Sequence, residues 1–260
     1  MACGRYLCVV GTLIAYIAIQ WGCSTVGSAG SLAGDGRNRV VAFTPDIPPY
    51  VMKNATDGVE VALVRELLGG FKYHVIQIPY GELQNAIRDT RADIAVPVQP
   101  AEDGVFYSNE FITFHNAAIS KKADAIHIST VVDLKSHRVL AWQNAYEELG
   151  TEFTGLYSPK GSERGNYQEI GNQEKQVQMF WEGENTVIVI DRNIFNYISR
   201  QMGHSLDEAD VHLIFPPNTR FRVGFKEEAI RDLFNQRLAE LRKSGDYERL
   251  LEKYQLGASK

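Results

Sequence analysis

The feature that most constrains the fold is an alternation, from Arg39 onward, of short apolar segments with segments in which apolar residues recur at helical spacing. Residues 40–44 and 75–78 have the length of buried strands, whereas the apolar residues between them repeat every three or four positions, as on one face of a helix. Such alternation favours α/β layers with mainly parallel sheets. With 260 residues, the chain has room for two α/β units of ordinary size.

A proline-rich turn and a glycine-led helix follow the first strand. Residues 40–44 lead into a Pro-Pro-Tyr turn that ends at Tyr50, and Gly58 and Glu60 open the next helix. This order resembles the extracellular solute-binding proteins of the amino-acid-type family (family 3), in which a Pro-Pro-aromatic turn is followed by a Gly-aromatic-acid-x-acid motif. The resemblance covers residues 37–255 and implies an α/β fold of two lobes, the periplasmic-binding-protein type II fold.

In that fold the chain crosses between the lobes twice, and two crossings make a hinge. The resemblance assigns the first crossing to residues 111–120 and the return to residues 211–215. It divides the chain into a signal peptide (1–22), a flexible tether (23–38), the first part of lobe one (39–119), lobe two (120–216) and the C-terminal part of lobe one (217–260).

The N-terminus has the pattern of an export signal. Residues 1–22 carry one cation, Arg5, before an apolar run that is short for a membrane-spanning helix of about 20 residues. A small residue directly before Cys23 is similar to a bacterial lipobox and predicts a lipid anchor on Cys23, although Gln20 replaces the usual aliphatic residue. The alternative is an ordinary signal peptide cleaved within residues 24–29. Both interpretations export the chain to the periplasm.

Charge and cysteine content exclude several other classes of function. Without residues 1–22 the chain keeps 26 cations against 32 acids, a net charge near −6, which argues against nucleic acid and against electrostatic binding to anionic lipid. Cys3 and Cys8 lie in the signal, so a disulfide framework is excluded. The six histidines lack metal-ligand spacing. We therefore predict neither a metal nor a cofactor, and a membrane contact only through the lipid anchor.

Asp191 is the first candidate for contact with a ligand. It follows the apolar strand 186–190 and begins a helix, and the resemblance implies that this position holds the ammonium group of the ligand. Such a contact in a closed cleft contributes about 1.5–3 kcal/mol. Asp is also a preferred helix N-cap, and the two roles are compatible.

Aromatic residues are the next candidates. The resemblance places Tyr80 where the family has a ring over the bound side chain, and a ring over a cation contributes about 0.5–2 kcal/mol. Tyr50, in the Pro-Pro-Tyr turn, either reaches the ligand or only packs the loop. Trp142 and Tyr146 either line the cleft or belong to the core of lobe two.

The segment from Asp93 to Phe111 departs from the family. Amino-acid binders carry an Arg there that holds the α-carboxylate of the ligand in two parallel hydrogen bonds. This chain has neither Arg nor Lys in the segment and offers Glu102 instead. The second carboxylate anchor of the family is replaced here by a segment that begins at Asn144.

A buried carboxylate without its charged partner costs about 2–5 kcal/mol. An ordinary α-amino acid therefore fits this site poorly, unless a cation from elsewhere substitutes for the missing Arg. The candidates for that substitution are Arg138, Arg192 and Arg220.

These patterns predict a monomeric solute-binding protein that closes over a small organic solute, cationic or amine-containing and amino-acid-like. The resemblance implies the permease of an ABC importer as its partner. One alternative is a ligand-sensing or regulatory envelope protein that uses the same fold without transport. Another is an enzyme similar to the cyclohexadienyl dehydratases of this fold, but these also need a cation for substrate carboxylates, so we do not expect an enzyme.

Overall fold

The structure, a computed structural model, describes Met1, residues 36–216 and residues 218–256. The predicted signal peptide, Cys23 and most of the predicted tether lie outside the described residues. Among the described residues, no helix combines the length and the hydropathy that a membrane span requires. No cluster of three or more His, Cys, Asp or Glu side chains in this part of the chain is arranged to hold a metal ion.

Lobe one contains a six-stranded sheet in the order β2-β1-β3-β11-β4, with β5 also paired to β11. Strand β1 is parallel to both neighbours, whereas β11 is antiparallel to its partners. With elements numbered in chain order, the strands are β1 (Asn38–Phe43), β2 (Lys72–Gln77), β3 (Ile94–Val98), β4 (Phe106–Tyr107), β5 (Ile112–Phe114) and β11 (Thr219–Phe225). The helices are α1 (Val59–Leu67), α2 (Tyr80–Leu83), α6 (Glu228–Lys243) and α7 (Asp246–Lys253).

Lobe two contains a five-stranded sheet in the order β10-β6-β9-β7-β8. Strand β7 is parallel to β8 and β9, whereas β6 is antiparallel to β9 and β10. The strands are β6 (Asn116–Lys121), β7 (Arg138–Ala141), β8 (Tyr167–Glu169), β9 (Thr186–Asp191) and β10 (Ala209–His212). The helices are α3 (Thr151–Tyr157), α4 (Gln173–Glu182) and α5 (Arg192–Gln201).

The crossing segments make both sheets mixed, so the prediction of mainly parallel sheets was wrong. The outgoing crossing (β5, β6) and the returning crossing (β10, β11) run in opposite directions, so β5 pairs antiparallel with β11 and β6 pairs antiparallel with β10. The predicted single strand 111–120 is two strands, β5 and β6, which belong to different sheets and are separated by His115. The return runs from the end of β10 at His212 to the start of β11 at Thr219.

The core of lobe one encloses one acid. Glu60, in the first turn of α1, is completely shielded from solvent among apolar neighbours. Neither of its carboxyl oxygens has a hydrogen-bond partner among the described residues. Because burial disfavours the charged form, the pKa of Glu60 rises to about 8. This side chain is therefore neutral in the folded protein at neutral pH.

Candidate functional site

A cavity of about 60 Å³ lies between the two lobes, with room for a few water molecules. Its wall contains residues at or just beyond the carboxyl ends of β1, β3, β7, β8 and β9, which is where open α/β sheets bind ligands. The crossing strands, the loop after β1 and the first turns of α2, α4 and α5 supply the rest of the wall. The lining residues are Thr44, Pro45, Ile47, Tyr80, Pro97, Phe114, Asn116, Trp142, Gln143, Gly171, Gln173, Asp191, Ile194 and Phe221.

A groove of about 690 Å³ adjoins the cavity. The two spaces share Pro45, Gln143 and Gly171 in their walls, so the groove forms the mouth of the cleft. Asp46 from lobe one and Glu174 from lobe two contribute carboxyl groups to it. Part of a solute too large for the inner cavity would occupy this groove.

Asp191 ends β9 and caps α5. Its Oδ1 accepts hydrogen bonds from the backbone N–H groups of Asn193 (2.9 Å) and Ile194 (3.1 Å). Oδ2 accepts the backbone N–H of His115 at 2.6 Å. Burial raises the pKa of Asp191, and these backbone donors oppose that rise. The expected N-cap is thus present, and the same residue lines the cavity.

Tyr50 is completely buried and lies outside the cavity wall. Its hydroxyl donates to Asp191 Oδ1 at 3.2 Å and accepts from Asn193 Nδ2 at 3.3 Å. Its ring stacks on Phe114, with the ring centroids 4.1 Å apart. In this arrangement Tyr50 contacts Asp191 and Phe114 from outside the cavity wall.

Four aromatic rings meet at the cavity. Phe114 packs edge-on against Phe221 at 5.0 Å between centroids, and Tyr80 packs edge-on against Phe221 at 6.2 Å. Trp142 contributes the fourth ring from lobe two. Tyr80 and Trp142 were predicted from the sequence, whereas Phe114 and Phe221 were not. Both residues lie in the crossing segments, which pass the floor of the cleft. That position could have identified them from the sequence.

The hydroxyl of Tyr80 donates a hydrogen bond across the cleft to Glu148 Oε1. The other oxygen, Oε2, is shielded from solvent and has no partner among the described residues. Burial raises the pKa of Glu148 to about 7; the hydrogen bond from Tyr80 lowers it and the neighbouring Glu147 raises it further. Glu148 was not identified from the sequence, because nothing local marks it as a contact of Tyr80.

Besides Tyr50, three predicted site residues lie away from the walls of the cavity and groove. Tyr146 packs at the edge of the lobe-two core, with the guanidinium carbon of Arg164 5.9 Å from its ring. Asn144 adopts a left-handed backbone conformation (φ 59°) and faces Gly81. Glu102 is exposed in the loop after β3. The short 3₁₀ turn after β7 directs residues 144–146 away from the cavity.

The described walls of the cavity and groove contain carboxyl groups and neither Arg nor Lys. The three candidate substitute cations do not line them. Arg138 donates to Gln168 at 3.0 Å and Arg220 to Glu110 at 2.8 Å, both at exposed positions. Two wall residues offer unused polar atoms instead: Thr44 Oγ1 and Gln173 Oε1 are buried without a partner among the described residues.

Two α/β lobes with a cavity at the carboxyl ends of their strands form the architecture of the periplasmic-binding-protein type II fold. No family model matches the chain. The chain is 22% identical over 261 residues to the arginine-binding extracellular protein ArtP of Bacillus subtilis (strain 168), a match that covers 94% of this chain and 97% of that protein. This match supports the predicted resemblance to amino-acid-type extracellular solute-binding proteins.

Solved structures share the fold. A substrate-binding protein of an ABC uptake transporter from Streptococcus pneumoniae, with bound histidine, aligns with a TM-score of 0.70 at 16% identity and covers 91% of this chain and 100% of that one. A histidine kinase sensor domain similar to periplasmic binding proteins aligns with a TM-score of 0.66 at 19% identity and covers 84% of this chain and 96% of that one. The two structures confirm the predicted two-lobed fold.

Proposed function

We propose that the protein captures a small cationic or amine-containing solute between its lobes. The observation that carries this proposal is the composition of the site: aromatic rings and carboxyl groups without a cation in the described walls. An amine or ammonium group has donors for Thr44 Oγ1 and Gln173 Oε1, which are otherwise unpaired. The rings of Tyr80 and Trp142 supply apolar faces that attract a cation.

A ligand carboxylate has no charged partner in this site. Leaving it unpaired in a closed cleft costs about 2–5 kcal/mol, which corresponds to roughly tens to thousands of fold in affinity. The relatives named above bind arginine or were solved with histidine, and both ligands combine an α-carboxylate with nitrogen groups. For the present chain we propose that the nitrogen groups are recognised and the carboxylate is not.

A comparison of amino acids with the amines that lack their carboxylate tests this proposal. Isothermal titration calorimetry would measure L-arginine against agmatine and L-histidine against histamine. We expect the amine of a binding pair to bind more tightly than its amino acid, by roughly tens of fold or more. Tighter binding of the amino acid by a factor of ten or more would show a carboxylate anchor and contradict the proposal.

Two variants locate the binding. Trp142→Leu removes a ring from the cavity wall and should weaken binding of every solute that binds. Tyr146→Phe changes a tyrosine of the same lobe outside the wall and should leave the affinity unchanged. If the two substitutions change the affinity to the same extent, the solute binds outside this cavity.

We also propose that the exported protein delivers its solute to the permease of an ABC importer and is attached to the membrane through a lipid on Cys23. The S. pneumoniae relative is described as part of such a transporter, and the sequence before Cys23 supports the anchor. Labelling cells with radioactive palmitate would test the anchor. The label should be lost in Cys23→Ala, and equal labelling of both proteins would remove the lipid from the proposal.

A further inference from the structure

The contact between Tyr80 and Glu148 depends on the distance between the lobes. Tyr80 begins α2 in lobe one, whereas Glu148 follows the 3₁₀ turn after β7 in lobe two. Beside this contact, a Cβ on Gly81 would stand 3.6 Å from Asn144 Nδ2, so the lobes touch here. Opening the cleft separates Tyr80 from Glu148 and exposes the carboxyl group to water.

Glu148 and Asp191 differ in what stabilises their charge. Asp191 accepts three backbone N–H groups and the Tyr50 hydroxyl, an arrangement that favours a carboxylate. Glu148 accepts only the Tyr80 hydroxyl among the described residues, and its Oε2 has no partner. A shielded carboxylate with one donor is unfavourable, whereas the protonated acid keeps the contact with Tyr80 and carries no charge.

The charged groups near this contact add to the effect. Glu147, on the same turn, raises the pKa of Glu148. Tyr80, on the facing helix, is a neutral donor whose own pKa is raised by burial and by the nearby acids Glu148, Glu147 and Glu60. The groups acting on this pair are thus acids or neutral, and none of them stabilises a negative charge on Glu148 except the Tyr80 hydroxyl.

We propose that Glu148 takes up a proton when the lobes close, so that closure of the cleft is linked to pH near neutrality. The proposal rests on the two-lobed solute-binding function proposed above and assigns it a regulatory residue. An open form in which Glu148 has lost the Tyr80 contact and faces water should give it an ordinary glutamate pKa of about 4.3. In the closed form its pKa is about 7.

The difference in the pKa of Glu148 between the two forms determines how closure changes with pH. Because the closed form holds the proton more tightly, closure is most favourable at low pH. It becomes less favourable as the pH rises from the open-state pKa through the closed-state pKa, and changes little above that. Between pH 5 and pH 8 the ratio of closed to open protein should fall on the order of tens of fold.

Small-angle X-ray scattering of the protein without added solute, from pH 5 to pH 8.5, tests this inference. The radius of gyration of the wild type should increase with pH, whereas Glu148→Gln, which mimics the protonated acid, should stay compact throughout. Glu152→Gln, at an exposed position on α3 of the same lobe, is the matched control and should keep the pH dependence. An unchanged radius in the wild type, or the same dependence in Glu148→Gln, would overturn the proposal.

A second measurement detects protonation of Glu148 directly and does not depend on the shape of the protein. In ¹³C-carboxyl NMR, the Glu148 resonance is the one lost in Glu148→Gln, and its midpoint should lie well above the ordinary glutamate value of about 4.3. A midpoint near that ordinary value would refute proton uptake. Because neither experiment uses a solute, failure here leaves the proposed solute binding standing, and failure of the amine comparison leaves proton-linked closure standing.

Discussion

At the scale of single residues, the buried acids differ in the donors around them. Asp191 receives three backbone N–H groups and a tyrosine hydroxyl, whereas neither oxygen of Glu60 has a partner among the described residues. A buried polar group without a hydrogen bond destabilises the fold. Burial also raises the pKa of Glu60, so the free energy of unfolding depends on pH.

We expect Glu60→Gln to remove a fall in stability with rising pH. The pKa of Glu60 is about 8 in the folded protein and near 4.3 in the unfolded chain. The folded state therefore binds the proton more tightly, and its stability falls as the pH rises between these values. Urea unfolding at pH 5 and pH 8.5 should show a loss of a few kcal/mol in the wild type and a smaller loss in Glu60→Gln.

Glu66→Gln is the control for this prediction. Glu66 lies on the same helix but is exposed, so its substitution should leave the pH dependence as in the wild type. If Glu60→Gln and the wild type lose the same free energy of unfolding between the two pH values, Glu60 is not buried in the neutral form.

At the scale of elements, the two crossings set the geometry of the hinge. Strand β5 pairs with β11, and β6 pairs with β9, so that only His115 separates strands of different sheets. A buried hydrogen bond from Asn116 Nδ2 to Thr219 Oγ1, 2.9 Å long, joins the start of β6 to the start of β11. This bond connects the outgoing crossing to the returning one.

Thr219→Val should destabilise the protein by about 1–3 kcal/mol, because it leaves the buried Asn116 amide unpaired at nearly constant volume. Thr113→Val on the neighbouring strand is the control and should change stability by about 0.5 kcal/mol or less. Chemical unfolding would measure both.

A double variant, Asn116→Ala with Thr219→Val, tests whether the two side chains are coupled. Its loss of unfolding free energy should be smaller than the sum of the two single losses. Strict additivity would contradict the coupling.

At the scale of the whole molecule, closure depends on a close approach between the lobes at Gly81. A Cβ on Gly81 would meet Asn144 Nδ2 at 3.6 Å and the Gln143 side chain at 3.9 Å, which is ordinary van der Waals contact. A methyl group fits there and a larger side chain does not. The size of this residue therefore limits how far the cleft can close.

We expect Gly81→Leu to hold the lobes apart and Gly81→Ala to behave like the wild type. Small-angle scattering at pH 5, where closure is most favourable, should give a larger radius of gyration for Gly81→Leu, together with weaker binding of any solute that the wild type binds. Its free energy of unfolding should not decrease, because the side chain enters the cleft and not a core. If Gly81→Leu has the same radius of gyration as the wild type, the contact at Gly81 does not limit closure of the cleft.

The order of strands and helices was predictable because each element carries its own apolar pattern. The helix predicted to begin at Asp191 is present as α5, Arg192–Gln201. Asp191, Tyr80 and Trp142 were predicted because each lies at or close to the end of a predicted strand, where an α/β ligand site forms, and the structure places all three in the cavity wall. The same rule selected Tyr146 and Asn144, which lie in the turn after β7 and outside that wall.

The sequence by itself determined which groups are available to the cleft: an acid at the end of β9, aromatic rings, and no Arg or Lys in the segment after Asp93. Only the tertiary structure decided which of the buried acids accept hydrogen bonds, and from which donors. Asp191 receives the N–H of His115 from 76 residues away, and Glu148 receives the Tyr80 hydroxyl from 68 residues away. The charge state of a buried acid depends on such distant donors, and residue patterns along the chain report only near neighbours.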